Sequence, residues 1–187
     1  LIYVEHEYLG ISAILLPYVL LFLLGISELS DAFDGYLARK YNQVTDLGKI
    51  LDPMADSIYR ISVFLTFTKG PIQLPLALIF MFIYRDSVVS TLRTICALRG
   101  FALAARMSGK IKAVVQAIAA FTVILLMIPH SLGYIPTVEL QTISAWVVGG
   151  AAIYSLFSCF DYIYANKIFI AKVLTVKKAR PLHEVQL

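Results

Sequence analysis

Charge is what this sequence has least of. Of its 187 residues only 15% are Asp, Glu, Lys or Arg, against 59% hydrophobic, and the mean hydropathy is +0.80. An ordinary soluble domain carries about 25% charged residues, so the shortage excludes one. It also excludes a disordered chain, which combines low hydrophobicity with high charge. Cysteine is nearly absent: Cys96 and Cys159 both lie inside apolar stretches. That excludes a disulfide-stapled secreted module and reads as packing by a small buried hydrophobe. The three histidines, His6, His130 and His183, share no motif spacing and read as surface residues of a terminus or loop. No internal repeat, low-complexity segment or signal-peptide pattern is present. What remains is an all-α, polytopic membrane helix bundle.

A helix needs about 20 apolar residues to cross the hydrocarbon core. Tyr8 to Ser27 and Leu140 to Phe160 meet this without a charge, and Ile111 to Pro129 has only Lys112 near its start. Two further spans carry ions: Ile50 to Thr68 holds Asp52, Asp56 and Arg60, and Pro71 to Arg99 holds Arg85, Asp86 and Arg93. Five spans are therefore visible. Arg39, Lys40 and Lys49 follow the first, Arg99, Arg106, Lys110 and Lys112 follow the third, and Lys167 to Arg180 follow the last. Strict alternation puts these basic segments on one side, the cytoplasmic one. With the basic residues so explained, the net charge of +4 does not indicate nucleic acid; the basic tail lacks aromatic interleaving and a recognition element. That tail suits anionic lipids or simply fixes topology.

The chemistry concentrates where the first span ends. Asp31 and Asp34 are spaced i, i+3, and Asp52 and Asp56 i, i+4, so each pair shares a helix face. The short connection predicts antiparallel neighbours, bringing four carboxylates to one level near the cytoplasmic surface. Four such charges repel in a low-dielectric setting and require cations. All-oxygen ligation suits Mg²⁺, Mn²⁺ or Ca²⁺, and two bridged divalent ions suit phosphoryl-type displacement. Gly35 and Gly48 leave room for a ligand, and Arg39 suits a phosphate. For one aspartate pair a solvated helix end would be the simpler reading. Four aspartates and two glycines at these spacings weigh against it.

The full pattern, Asp31-x2-Asp34-Gly35-x2-Ala38-Arg39-x8-Gly48-x3-Asp52-x3-Asp56, resembles the signature of the CDP-alcohol phosphotransferases, integral membrane enzymes of phospholipid synthesis. The resemblance implies that Asp31, Asp34 and Asp52 ligate two divalent ions, Mg²⁺ or Mn²⁺, with Asp56 as a fourth ligand or as the base for the acceptor hydroxyl. It implies that Asp31, Gly35, Ala38, Arg39 and Gly48 accommodate the cytidine diphosphate. The acceptor alcohol would attack the β-phosphorus of a CDP-linked lipid, expelling CMP. The family has six spans, one of them before the motif-bearing helix. Residues 1–187 are therefore read as a single domain of this type, with its first helix missing from the sequence.

The acceptor is read from the third and fourth spans. A charge at the centre of a membrane helix costs at least about 2.5 to 3.5 kcal/mol, so Arg85, Asp86 and Arg93 should face a wet or charged interior. An Asp86–Arg93 or Asp86–Arg85 pair that only orients helices competes with an anion site. Gly109-Lys110-Ile111-Lys112 adds a second basic set, which positive-inside topology also explains. This region, with Ser158-Cys-Phe-Asp161-Tyr162, is similar to that of bacterial phosphatidylglycerophosphate synthases, a branch of the family seated in the inner membrane. Asp86 stands where that branch more often has Glu, and Ser57 where it often has Lys. The resemblance implies CDP-diacylglycerol and glycerol 3-phosphate as substrates, the acceptor phosphate held by Arg85, Arg93, Lys110 and Lys112. Inositol phosphate is the nearest competing acceptor. An ion-coupled transporter would place ionisable groups near the midplane and show inverted repeats, whereas these acids cluster at one end. Trp146 reads as packing, and Gly149-Gly150 as a close helix approach suited to a homodimer contact.

Overall fold

Long apolar runs cannot leave backbone polar groups unpaired in lipid, so they fold as helices. The computed structural model describes residues 12–41, 48–98 and 107–175, and their side chains except at 31, 32, 34, 36, 38, 39, 48–51, 97 and 172–175. Among the described residues there are five helices: α1 (Leu16–Lys40), α2 (Gly48–Thr66), α3 (Leu76–Leu98), α4 (Met107–Ser131) and α5 (Thr137–Thr175). No strand occurs among them. The five predicted spans thus appear as five helices, of which α4 and α5 are long and apolar enough to cross a membrane by length and composition.

Several boundaries differ from the hydropathy reading: α1 begins at Leu16 rather than Tyr8 and α3 at Leu76 rather than Pro71, and two helices run on past their apolar stretches. α1 does not end at Ser27 but runs on to Lys40, which puts Asp31, Asp34 and Gly35 on its last turns. No proline interrupts this stretch, so nothing forces the helix to stop where the apolar run stops. α5 likewise extends past Phe160 to Thr175. At 1.5 Å per residue its 39 residues span about 58 Å, roughly twice the hydrocarbon thickness.

The apolar core lies at the end of the bundle where α2 meets α3 and α4 meets α5. Phe64 stacks on Phe82 at 5.0 Å between ring centroids and meets Phe67 edge-on at 6.1 Å. Ile72, Leu74, Ile79, Val123, Met127 and Leu140 close the cluster. The α2–α3 turn is held by Leu74 N–H donating to the Phe67 carbonyl at 2.9 Å and by Gln141 donating to the Pro71 carbonyl at 3.1 Å. α4 ends in a Schellman arrangement: Gly133, at φ +80°, donates to His130 and Tyr134 donates to Pro129. His130 Nδ1 lies 2.9 Å from the Ile135 carbonyl, so this histidine is part of the turn rather than a free surface residue.

α5 packs on both α3 and α4 through Ser144, Val148, Ala151, Ala152, Ser155 and Cys159, all buried. Small side chains at that spacing let membrane helices approach closely. Gly149 belongs to this packing, since a Cβ there would meet Leu78 on α3 at 4.0 Å, whereas Gly150 faces open space. Trp146 is 79% exposed and is not a core residue; it lies on the outer face that lipid would cover. Cys96 and Cys159 are free and buried, as expected.

Candidate active site

The polar end of the bundle is organised by ion pairs between helices. α1 packs chiefly on α4 rather than on α2, and α2 lies against α3 and α4. α1 and α2 still meet through Glu28 and Arg60, 3.5 Å apart, while Arg60 also donates to the Ala113 carbonyl of α4 at 2.9 Å. Arg60 thus links α2 to both α1 and α4. Asp52 and Asp56 are exposed on the first turns of α2. The side chains of Asp31, Asp34, Ala38, Arg39 and Gly48 lie outside the described residues. Among the described residues no group of three or more His, Cys, Asp or Glu gathers around one point.

The second set of predicted residues splits in two. Asp86, 8% exposed, accepts from Arg85 at 2.8 Å and from Lys112 at 2.7 and 3.0 Å. Arg85 donates its other terminal nitrogen to Ser158 on α5 at 2.9 Å. Of the two internal pairs weighed from sequence, Asp86–Arg85 forms, and Lys112 is a partner that spacing did not indicate. This buried network ties α3, α4 and α5 together. A buried Asp between two cations satisfies both, because an isolated buried charge would be costly. Arg85 and Lys112 are therefore largely committed to the protein. Arg93 stands outside this network, and its Nε, like that of Arg85, is buried with no hydrogen-bond partner.

These residues enclose a cavity of about 250 Å³ whose wall includes Asp56, Arg60, Arg85, Arg93, Lys110 and Lys112. Five cations and one carboxylate thus face one space. Against it lies a larger, more apolar cleft of about 610 Å³ between α2 and α3, sharing Pro53, Ser57, Arg85, Val89 and Arg93 with it. The tertiary structure brings Asp56 of the acidic motif together with Arg85, Arg93, Lys110 and Lys112. Sequence reading did not assign Arg60 or Tyr162 to this wall, nor the Ser108–Asp161 hydrogen bond of 2.6 Å that joins the start of α4 to α5. Tyr162 follows Ser158 by one turn, a spacing that could have placed both on one face of α5.

A family model for CDP-alcohol phosphatidyltransferase matches residues 11–157, and the chain belongs to that family of membrane enzymes. Curated relatives narrow the likeness. Over 141 residues, 75% of this chain and 69% of the relative, it is 33% identical to the CDP-diacylglycerol–glycerol-3-phosphate 3-phosphatidyltransferase of Bacillus subtilis. The enzyme of the same name from Rickettsia typhi is 32% identical over 146 residues, 77% of this chain and 78% of that one. A shorter match, 41% identical over 69 residues, links 37% of this chain to 32% of the CMP-forming cardiolipin synthase of Streptomyces coelicolor.

Proposed function

We propose that the protein transfers a phosphatidyl group from CDP-diacylglycerol to glycerol 3-phosphate, forming phosphatidylglycerophosphate and releasing CMP. The observation that carries this reading is that Asp56 and the cations Arg93 and Lys110 share the wall of one cavity. A phosphorylated acceptor needs such cations for its phosphate, and a general base within reach of its hydroxyl. Relatives whose names specify this reaction match most of the chain, which supports the choice of glycerol 3-phosphate over inositol phosphate.

In this reading the acceptor phosphate is held chiefly by Arg93 and Lys110, with Arg60 behind them. Arg85 and Lys112, clamped by Asp86, keep the wall positive and in place. Asp56 takes the proton of the acceptor hydroxyl. The freed oxygen attacks the β-phosphorus of the donor, the bond from that phosphorus to the bridging oxygen breaks, and CMP leaves with the oxygen. Asp31, Asp34, Asp52 and Asp56 would form an oxygen-only donor set of the kind that fits Mg²⁺ or Mn²⁺. Two divalent ions so held would neutralise the pyrophosphate and stabilise its departure. Gly35, Ala38, Arg39 and Gly48 would make room for the cytidine diphosphate and hold it.

In this reading the site lies on the cytoplasmic face of a bacterial inner membrane, a sidedness that the distribution of basic segments supports. A lipid-linked donor and a water-soluble acceptor meet only at such an interface. The test is CMP release by purified protein from CDP-diacylglycerol with Mn²⁺ or Mg²⁺ and glycerol 3-phosphate, inositol phosphate, inositol or serine. Release is expected with glycerol 3-phosphate. Release with another acceptor alone would overturn the choice of substrate.

A further inference from the structure

Tyr162 is 3% exposed, and its hydroxyl has no hydrogen-bond partner. It forms part of the cavity wall that Asp56, Arg93 and Lys110 also line. Buried hydroxyls are normally satisfied, and one left unpaired is destabilising. A phenol kept there calls for a partner that the protein itself does not supply. The unpartnered Nε atoms of Arg85 and Arg93 belong to residues of the same wall, so three buried polar groups beside one cavity lack a partner within the protein.

The chemistry of the wall says which part of the ligand the phenol serves. Guanidinium and ammonium groups only donate hydrogen bonds. They suit phosphate oxygens but cannot receive the hydrogen of an alcohol. Only three described side chains in the wall can accept one: Asp56, Ser57 and Tyr162. Asp56 is engaged by the reacting hydroxyl, and Ser57 is only half-buried, so its hydroxyl has no comparable need of a partner. We infer that Tyr162 is a specificity-determining residue that hydrogen-bonds the second, non-reacting hydroxyl of a polyol phosphate acceptor. The inference rests on the proposed reading of this cavity as the acceptor site. It makes the enzyme selective for acceptors with an alcohol between phosphate and nucleophile.

The test compares glycerol 3-phosphate with 3-hydroxypropyl phosphate, which keeps the phosphate and a primary hydroxyl but lacks the middle one. A site built to bond a hydroxyl discriminates against an analogue without it. The wild type should favour glycerol 3-phosphate by roughly tenfold or more in kcat/KM. Tyr162→Phe should lose roughly tenfold on glycerol 3-phosphate, stay within about twofold on the analogue, and leave the KM for CDP-diacylglycerol unchanged. Because the hydroxyl is unpartnered, the same variant should unfold at or above the wild-type temperature. A wild type that uses both acceptors equally, or a Tyr162→Phe that loses equally on both, would overturn the assignment, as would a marked loss of thermal stability. A wild type silent with glycerol 3-phosphate would instead overturn the proposed reaction and this inference together.

Discussion

The Asp86 network makes a quantitative prediction about how the polar end holds together. Asp86 is the sole negative charge between Arg85 and Lys112 within the network, with contacts of 2.7 to 3.0 Å. All three residues are at most 9% exposed. Asp86→Asn keeps one oxygen acceptor but removes the charge, leaving two cations in a space that burial makes unfavourable for them. Removing one partner of a buried ion pair costs about 3 to 5 kcal/mol. Since Asn still accepts a bond and Arg85 keeps Ser158, the lower end, about 3 kcal/mol, is expected. Thermal unfolding of the detergent-solubilised protein, followed by far-UV circular dichroism, should fall by on the order of 10 °C. Adding Lys112→Met removes one stranded cation and should restore part of the loss, giving a coupling of about 0.5 to 3 kcal/mol. If Asp86→Asn unfolds within about 0.5 kcal/mol of the wild type, the network does not hold α3, α4 and α5 together and the reasoning fails.

Further outcomes follow from the acidic and cationic halves of the cavity. Asp56→Asn should lower kcat by roughly 100-fold or more, the usual loss on removing a general base, with the fold unchanged by circular dichroism. Chelation of divalent ions should silence the wild type reversibly, and full turnover in excess EDTA would remove the metals from the mechanism. Arg93→Ala should raise the KM for glycerol 3-phosphate by roughly tenfold or more while leaving that for CDP-diacylglycerol within about twofold. Equal increases for both substrates would give Arg93 a structural role.

Sequence alone determined the features that depend on local spacing. Uncharged runs near 20 residues have only one economical state in lipid, so α4 and α5 and the all-helical class follow from composition. The aspartates of α1 and α2 could be paired within each helix because i, i+3 and i, i+4 neighbours share a face by helical geometry. Hydropathy did not mark the true ends of α1 and α5, because a helix continues past its apolar run when nothing breaks it. The connection between α1 and α2 predicted neighbours, but side-chain packing set α1 mainly on α4 and left Glu28–Arg60 as the bridge. Which cation Asp86 takes was likewise undecided, since Arg85 and Arg93 offer the same charge. The packing of α4 on α5 and of α5 on α3 adds Lys112, 26 residues away, to Arg85 as a partner of Asp86 and leaves Arg93 outside the network. Tyr162 stood in the segment that resembles the family branch, but nothing in the sequence gave it a role apart from the other tyrosines. Only the tertiary structure, by burying its hydroxyl beside a cationic cavity, separates it from those that merely pack or face lipid.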